Sequence, residues 1–302
     1  MNQQFLTELK AVTAENRIFT DESMKKHTTF RVGGPADILV QPKGTELAAV
    51  IRLCRKYDVP YQVIGNGSNL LVGDRGIRGL VIEMLSKEDE ICVEDDCITV
   101  GAGMLLSKTA NRAAEHGLTG MEFAAGIPGS IGGAVVMNAG AYGGEMKDIL
   151  TAVTVLDQEG NEKILSAEEL ELGYRTSCIL KKGYIVTGAK IKLKHGEETA
   201  IRARMEELKK QRVEKQPLEY PSAGSTFKRP EGYFAGKLIM DAGLRGYLVG
   251  EAQVSEKHCG FVINRGNATA ADVRTLMQNV ADIVEEKFGV RLEPEVKMIG
   301  EF

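Results

Sequence analysis

Residues 124–144 hold the feature that most constrains this chain, because seven of these twenty-one residues are glycine and most of the others are small. Glycine loses more backbone entropy on folding than any other residue, so such a cluster weakens a fold unless the main chain needs positive φ or close approach to a ligand. Backbone N–H groups in such a loop, followed by a short helix, form an anion nest that suits a phosphate or pyrophosphate. The alternative is a run of turns packed backbone to backbone.

A second glycine-rich loop, residues 65–72, follows the short apolar run 61–64, which is typical of a buried strand. The loop departs from the Rossmann fingerprint because Leu70 occupies the place of the third glycine and no helical pattern follows. It also lacks the Gly-Lys-Ser/Thr ending of a P-loop. Its presence favours a ligand site over packed turns. The two loops together predict one elongated, phosphate-bearing cofactor held by two backbone cradles.

Charge and composition exclude several classes of partner. The 302 residues carry a formal net charge of −4, so no nucleic-acid surface is predicted, and an anionic ligand needs local cations and backbone amides. The polar start of the chain and the lack of a long apolar run predict neither a signal peptide nor membrane insertion. Five cysteines without a C-x-x-C pair and four scattered histidines predict no disulfide and no metal site. The cytoplasm is therefore the expected compartment, with no obligatory protein partner evident.

Helices and strands occur without strict βαβ alternation, which predicts an α+β fold. A helical arm is predicted over residues 1–29, then a region 30–195 split near residue 100, then a C-terminal region 196–302. Hydrophobic spacing predicts further helices over 45–57, 106–116, 197–215 and 269–288, with Thr45 as a cap and a capping box at Ser166 that begins another short helix. Strands are predicted over 61–64, 80–84, 91–94, 97–100, 153–156, 163–165, 184–194, 252–254, 261–264 and 290–299.

One serine lies in a context that could support catalysis. Ser225 follows Gly224 in the segment 220–230, which is bounded by prolines, so its hydroxyl is presented at a defined angle. The segment is not the G-x-S-x-G elbow of hydrolases because Phe227 fills the final glycine position, and no histidine is placed as a base. A loop serine that caps its own turn is the simpler interpretation.

Arg175 and Glu295 each have a simple surface interpretation beside a functional one. Arg175, in the segment 173–177, is either a surface arginine or a bidentate clamp on a carboxylate or phosphate. Glu295 alternates with apolar residues in the segment 290–298, which predicts a strand with Glu295 on its charged face. Buried beside a substrate, the same carboxyl group could assist proton transfer.

Six segments in a fixed order cover nearly the whole chain: 28–37, 65–70, 124–144, 173–175, 222–228 and 292–296. Together they resemble the UDP-N-acetylenolpyruvoylglucosamine reductases, the MurB family of peptidoglycan synthesis. The chain is similar to the shorter form of that family, because no room exists between Arg175 and Tyr184 for the inserted loop that carries a tyrosine over the substrate. It departs from the common pattern at Arg229, where asparagine is usual, and at Glu251, where glycine is usual.

The resemblance implies a vanillyl-alcohol-oxidase-like (PCMH-type) FAD-binding fold of two subdomains within residues 30–195. A C-terminal α+β substrate-binding domain, 196–302, would follow, with its last strand carrying Glu295. The glycine loops would hold the FAD pyrophosphate. The implied cofactor-binding residues are Gly65, Asn66, Gly67, Ser68, Asn69, Leu70, Gly126, Pro128, Gly129, Ser130, Gly132, Gly133, Ala134, Asn138, Gly140 and Ala141.

The resemblance also implies a reaction of cell-wall synthesis, and so a part in cell shape and division. NADPH would reduce the flavin, which passes hydride to the enolpyruvyl ether of UDP-N-acetylglucosamine enolpyruvate and gives UDP-N-acetylmuramate. Ser225 would donate the proton, while Arg175 and Glu295 polarise the carboxylate and stabilise the enol-like intermediate. The sequence shows no separate dinucleotide fingerprint, so NADPH would use the same cleft as the substrate in alternating turns.

Two other functions compete with this one. An oxidase or dehydrogenase of the same flavin fold would keep the cofactor and change the substrate, but it needs no proton donor such as Ser225. A nucleotide-sugar binding or regulatory protein that has lost flavin would not need its glycine loops intact. A fold alone would not decide among these functions, so the site residues must.

Overall fold

The chain crosses several times between two structural units. The structure, a computed structural model, describes residues 3–85 and 91–302. The first unit comprises Met1–Phe19, Ile38–Asn66 and Gly79–Arg212, and the second comprises Thr20–Asp37, Gly67–Arg78 and Val213–Phe302. This division differs from the predicted regions 30–195 and 196–302, because residues 20–37 and 67–78 group with the C-terminal residues by their contacts.

Helices form where apolar residues recur at helical spacing, and several end at a glycine. None of those within the described ranges is long and apolar enough to span a membrane. Short 3₁₀ turns cover Glu15–Arg17, Met24–Lys26, Glu122–Ala124 and Met146–Asp148. The α-helices are α1 (Gln3–Val12), α2 (Gly44–Lys56), α3 (Leu106–Glu115), α4 (Ile131–Met137), α5 (Cys178–Lys182), α6 (Glu198–Lys215), α7 (Ala235–Asp241) and α8 (Ala270–Phe288).

Most strands are short and pair with antiparallel neighbours. They are β1 (Ile18–Ser23), β2 (Pro35–Val40), β3 (Tyr61–Ile64), β4 (Leu70–Val72), β5 (Ile77–Glu83), β6 (Ile91–Glu94), β7 (Cys97–Gly101), β8 (Leu118–Thr119), β9 (Gly140–Ala141), β10 (Gly144–Glu145), β11 (Leu150–Leu156), β12 (Glu162–Ser166), β13 (Ile185–Lys192), β14 (Lys194–His195), β15 (Ser222–Ser225), β16 (Leu248–Val249), β17 (Ala252–Val254), β18 (Phe261–Asn264) and β19 (Lys297–Ile299). The larger sheets have the orders β1-β2-β5-β3, β12-β11-β13-β7-β6 and β15-β18-β17-β16.

The five-stranded antiparallel sheet forms the centre of the first unit. In β11, Val153 and Val155 are fully buried and Thr154 between them is only partly so, as the alternation of a half-covered sheet requires. The strands predicted over 91–94 and 97–100 are confirmed and pair as the hairpin β6–β7, and those predicted over 153–156 and 163–165 pair as the hairpin β11–β12. Apolar residues of α3 and α4 share the core of this sheet, while α2 and the parallel pair β3–β5 contribute to a second apolar cluster of the same unit.

Helix α8 packs its apolar stripe into the core of the second unit, with the sheet β15-β18-β17-β16. Its predicted start is confirmed, because the Thr269 hydroxyl accepts the Asp272 N–H at 3.0 Å and the Asp272 carboxylate accepts the Thr269 N–H at 2.9 Å. Gly289 ends the helix with a φ of +67°. The residues of the stripe are Val273, Leu276, Met277, Val280 and Val284.

Local signals predicted some elements that the structure does not contain. The arm 1–29 is not helical throughout: residues 1–2 lie outside the described part, α1 ends at Val12, and Ile18–Ser23 form a strand paired in a sheet. Both capping-box hydrogen bonds of Ser166 and Glu169 form, but they close a turn without a following helix. Helix α2 begins at Gly44, so its N-cap is Lys43, two residues before the predicted cap Thr45.

The predicted last strand, 290–299, is wrong over most of its length. Only Lys297–Ile299 forms a strand, paired in parallel with β4, so Glu295 precedes the strand that was expected to carry it. Met298, which the alternation placed on the apolar face of this strand, is 46% exposed. A strand needs a partner along its whole length, and β4 has three residues.

The β11–β12 turn contains a carboxylate with a strongly lowered pKa. Asp157 accepts the Asn161 N–H at 2.9 Å and the Glu159 N–H at 3.0 Å, and Lys163 lies 3.1 Å away. The hydrogen bond from the Asn161 backbone is the largest cause that lowers the pKa of Asp157 from 3.8 to about 2, with Lys163 adding to it.

We expect the stability contributed by Asp157 to be lost in acid. Because its pKa is depressed on folding, the contribution is full above the unfolded value of 3.8 and disappears as the pH falls through about 2. Urea unfolding of the wild type and Asp157→Asn should therefore differ most near neutral pH and converge as the pH approaches the folded value. A difference that stays constant from neutral pH into this range would contradict the assignment.

Candidate functional site

The two glycine-rich loops meet within the first unit. The Asn66 side-chain amide donates to the Pro128 carbonyl at 2.6 Å. A Cβ atom on Gly65 would lie only 2.1 Å from the Ser130 Oγ and 3.3 Å from the Ser130 Cβ. Glycine at position 65 is therefore what permits the contact, and the prediction that the two loops form one site has direct support in the pairing of residues 65–66 with residues 128–130.

The start of helix α4 does not form the open anion nest that the sequence predicts. The N–H groups of Ile131 and Gly132 donate to the carbonyls of Met104 and Ala102 at 2.8 Å, and the Gly133 N–H points to the Ser130 Oγ at 3.5 Å. These hydrogen bonds hold the start of α4 to residues 102–104 of the same unit. In the antiparallel bridge between Leu105 and Ser130, the flanking residues make the hydrogen bonds, so the N–H of Ser130 itself turns away from Leu105.

The second half of residues 124–144 is a tight hairpin. Strands β9 and β10 are joined by Tyr142 and Gly143, whose φ values of +52° and +89° are both positive, as a type I′ turn requires. A Cβ on Gly140 would lie 2.6 Å from the Gly144 carbonyl oxygen. Packing between main chains thus explains Gly140, which was predicted from the resemblance to contact the cofactor.

The side chain of Asn138 holds this hairpin in place through hydrogen bonds. It is fully buried and left-handed, with a φ of +42°. Its side-chain amide donates to Glu145 at 2.7 Å and to the Gly173 carbonyl at 3.0 Å, while its Oδ1 accepts the Lys147 N–H at 2.9 Å. The side chain of Asn138 therefore positions the loop, and its backbone N–H is also used within the protein, by the Val135 carbonyl at 3.2 Å.

Arg175 is fixed beside the same hairpin. Its Nη2 lies 3.3 Å from the Gly140 carbonyl oxygen, and its guanidinium is 5.1 Å from the centre of the Tyr174 ring. Its φ of +54° is costly for a residue with a side chain. An arginine held in this conformation is positioned by the surrounding fold, which favours the clamp interpretation over a mobile surface residue.

Ser225 lies in the second unit and is presented by an irregular strand. The pairing of β15 with β18 shifts between Ser222 and Ser225, and Gly224 in the shifted segment has a φ of +76°. Such bulges turn a side chain away from the regular alternation and are frequent beside active sites. The Ser225 side chain is exposed, and its hydroxyl makes no hydrogen bond to another described residue.

Glu295 is held next to Ser225 through the residue that follows the serine. Thr226 is buried, and its carbonyl accepts the Glu295 N–H at 2.8 Å. The next pair continues this contact, because Phe227 and Pro294 form an antiparallel bridge. Two of the three residues predicted to be catalytic, Ser225 and Glu295, are thus brought together in the second unit, while Arg175 belongs to the first.

Comparison with known proteins decides the family. A family model described as the C-terminal domain of UDP-N-acetylenolpyruvoylglucosamine reductase matches residues 216–299, and one described as an FAD binding domain matches residues 36–166. The UDP-N-acetylenolpyruvoylglucosamine reductase of Agathobacter rectalis is 57% identical over 314 residues, covering 100% of both chains. The one of Lachnoclostridium phytofermentans is 56% identical, covering 100% of this chain and 99% of its own. The chain belongs to the UDP-N-acetylenolpyruvoylglucosamine reductase family.

Solved structures agree with this family and confirm the predicted fold class. The reductase (MurB) from Thermus caldophilus is 42% identical with a TM-score of 0.78, and the match covers 91% of this chain and 97% of that one. An alkyldihydroxyacetonephosphate synthase, 14% identical with a TM-score of 0.50, shares the fold alone. As a reductase-family member with an FAD binding domain, the chain is an FAD-binding oxidoreductase of peptidoglycan synthesis.

The chain's own loops fit FAD. A pyrophosphate needs backbone donors on a main chain that it can approach closely, and the Ser130 N–H, turned away from its bridge partner, is such a donor. Glycine at position 65 allows the second loop to reach the same place. Bound there, FAD would supply hydride-transfer chemistry, while the protein supplies binding and orientation.

Gly65→Ala is expected to weaken FAD binding by about ten- to a hundredfold, since forcing an extra carbon into a filled contact costs about 1–3 kcal/mol. The new Cβ would overlap the Ser130 Oγ and separate the loops. FAD titration of the apoprotein, followed by flavin fluorescence, measures the change.

Two further variants isolate the cause of that loss. Ser130→Gly removes the overlapping atom, so the double variant should recover part of the affinity, because glycine is a tolerated helix cap. Gly44→Ala is the matched control, because a Cβ there meets nothing within 4 Å. FAD affinity unchanged by Gly65→Ala, or equally reduced by both alanine variants, would show that the loop contact does not matter.

Sequence reasoning missed Arg212, which lies beside the glycine-rich loop at the end of the first unit. A Cβ on Gly126 would be 3.2 Å from its Nη1. Burial lowers the pKa of the Arg212 guanidinium, and the nearby Tyr142 hydroxyl opposes the shift. The available signal was spacing: position 212 continues the stripe of Ile201, Met205 and Leu208, so an arginine there lies on the packed face of α6.

Proposed function

We propose that this chain uses NADPH to reduce the enolpyruvyl ether of UDP-N-acetylglucosamine enolpyruvate to UDP-N-acetylmuramate. The observation that supports it most is the backbone hydrogen bond that joins Glu295 to Thr226, the residue that follows the exposed Ser225, in a member of this reductase family. Reduction of an enol ether requires a proton as well as a hydride. Ser225 and Glu295 supply the polar groups for the proton side of that reaction.

Each residue of the proposed catalytic set has one role. Ser225 donates the proton to the carbon that bears the substrate carboxylate. Arg175 binds that carboxylate, on which charge develops, and Glu295 stabilises the enol-like species by hydrogen bonding. Groups placed where charge appears stabilise the transition state more than the ground state, which is what accelerates the step.

The cofactor contacts are also part of this proposal. The loops 65–70 and 126–141 bind the FAD pyrophosphate through the residues implied by the resemblance, apart from Gly140 and the side chains of Asn69 and Asn138, which are engaged within the protein. Arg212 supplies a positive charge that a chain with a net charge of −4 needs near an anion. Residues 30–195 would hold FAD and residues 196–302 the nucleotide sugar. Catalysis would take place in the cytoplasm, with NADPH and the substrate taking turns in one cleft.

Deuterium labelling tests the proposed reaction. The FAD-loaded protein is incubated in D₂O with NADPH and UDP-N-acetylglucosamine enolpyruvate. We expect substrate-dependent NADPH consumption and a product with one deuterium on the carbon next to the carboxylate, because the serine proton exchanges with solvent. Its methyl group should carry one hydrogen delivered as hydride from the reduced flavin. Consumption of NADPH that does not respond to this substrate would exclude the proposed reaction.

A further inference from the structure

Glu295 does not lie in a regular element, so something else must hold it in place. Before β19, this segment pairs with its neighbours only at the bridge between Phe227 and Pro294, and strand pairing resumes at Lys297, which pairs with Leu70. On one side of Glu295, its N–H donates to the Thr226 carbonyl at 2.8 Å. The Val296 N–H also donates to the Thr226 carbonyl, at 3.5 Å, so this side supplies no donor to the Glu295 carbonyl.

Asn69 provides the other side of this support. Its side-chain Nδ2 donates to the Glu295 carbonyl at 3.2 Å, and its own carbonyl accepts the Lys297 N–H at 2.9 Å. The two contacts bracket Val296, which is buried. Both backbone polar groups of Glu295 are therefore hydrogen-bonded within the second unit, one to Thr226 and one to Asn69.

Asn66, in the same loop, has a different partner. Its side-chain amide donates to the Pro128 carbonyl of the other glycine-rich loop. The two asparagines of the sequence Gly65-Asn66-Gly67-Ser68-Asn69 thus have separate tasks: Asn66 ties the two glycine-rich loops together, and Asn69 holds the segment that carries Glu295.

We propose that the side chain of Asn69 is a positioning residue for Glu295 rather than a ligand of the cofactor. The inference rests on the proposed function of Glu295. A catalytic group must be held close to its productive geometry, and a displacement of about 1 Å can cost a hundredfold in rate. The Asn69 amide limits this displacement by fixing the Glu295 carbonyl.

The test compares Asn69→Ala with Asn66→Ala in the holoenzyme, because the two variants remove the same side chain from the same loop. Asn69→Ala should retain FAD and its reduction by NADPH, while reoxidation of the reduced flavin by the substrate slows by about tenfold. Asn66→Ala should instead lower FAD affinity. Loss of FAD from Asn69→Ala, at the level seen for Asn66→Ala, would make Asn69 a cofactor ligand and overturn the inference.

A double-mutant cycle asks whether Asn69 acts through Glu295. If it does, Asn69→Ala should slow reoxidation in the wild type and have little further effect in Glu295→Gln, because the positioned acid is already gone. The same tenfold loss in both backgrounds would show an independent role and contradict the proposal.

Hydrogen exchange gives a readout that needs no turnover. The Glu295 amide, bonded to Thr226, should exchange faster in Asn69→Ala than in the wild type, whereas Asn66→Ala should leave it unchanged. Equal exchange in the wild type and Asn69→Ala would contradict the positioning role. Failure of the proposed function would look different: wild-type reduced flavin would not respond to the substrate, while the exchange difference would remain.

Discussion

Ser225→Ala is expected to slow the reoxidation of reduced flavin by substrate by about 10²- to 10⁴-fold, the range by which a positioned acid accelerates a step. Reduction of the flavin by NADPH should change little, because that half-reaction needs no proton from Ser225. The bulge at Gly224 orients the Ser225 side chain, which is exposed and whose hydroxyl makes no hydrogen bond to another described residue. Rapid mixing, with each half-reaction followed separately by flavin absorbance, measures the two rates.

Ser222→Ala is the matched control for this variant. It removes a hydroxyl from the same strand, while the Ser222 carbonyl, which accepts the Thr29 hydroxyl at 2.7 Å, stays in place. It should leave reoxidation within about twofold of the wild type, as expected for a substitution away from a special feature. Similar losses in Ser222→Ala and Ser225→Ala, or losses in both half-reactions, would remove Ser225 from the proposed role.

Glu295→Gln is expected to slow the same half-reaction by about 10²- to 10³-fold, the cost of removing one group that stabilises developing charge. Glutamine keeps the size of the side chain and the backbone bonds to Thr226 and Asn69, so the variant tests the carboxyl group itself. Stopped-flow measurement of reoxidation, with unfolding in urea as a check on stability, provides the result.

Glu293→Gln is the control for Glu295→Gln because it removes a carboxylate two residues away. Glu293 is exposed and pairs with Lys228 at 2.9 Å, and the hydrogen bond from Lys228 lowers the pKa of Glu293 below its ordinary value. An exposed pair of this kind contributes little to stability. Reoxidation that slows equally in the two variants would mean that net charge, rather than the position of Glu295, controls the rate.

Elements encoded by neighbouring residues could be predicted from the sequence. Helix α8 is one, because its cap at Thr269 and its stop at Gly289 act within a turn of the residues they affect. The β6–β7 and β11–β12 hairpins are others, since tight turns join strands that are consecutive in the chain. A close approach of the main chain at the glycine-rich loops was predictable, because many glycines lower the stability of a fold unless the backbone needs the freedom that they give.

Features that depend on distant residues could not be predicted from local pattern. The capping box at Ser166 forms, but no packing partner extends it into a helix. Strand β19 is limited to three residues by β4, which lies more than two hundred residues earlier in the chain. The start of α4 looked like an anion site, and its donors instead meet the carbonyls of Met104 and Ala102. Each of these outcomes is set by a tertiary partner that the local sequence does not show.

The bond between Glu295 and Thr226, the residue that follows Ser225, also depends on residues that are distant in the sequence. Alternation placed Glu295 on the charged face of a strand, but the structure places it in an irregular segment bonded to Thr226 and Asn69. Only the ordered set of six segments, read as a family resemblance, predicted that these residues act together. The physical reason appears once the register of residues 225–227 against 294–295 is known.

An anaerobic single turnover tests the central claim most directly. The FAD-loaded protein is reduced with one equivalent of NADPH, UDP-N-acetylglucosamine enolpyruvate is added, and the visible absorbance of the flavin is followed. We predict bleaching by NADPH and a rapid return of the oxidised spectrum on addition of the substrate. A flavin that is bleached by NADPH and stays reduced in the presence of this substrate would contradict the proposed function.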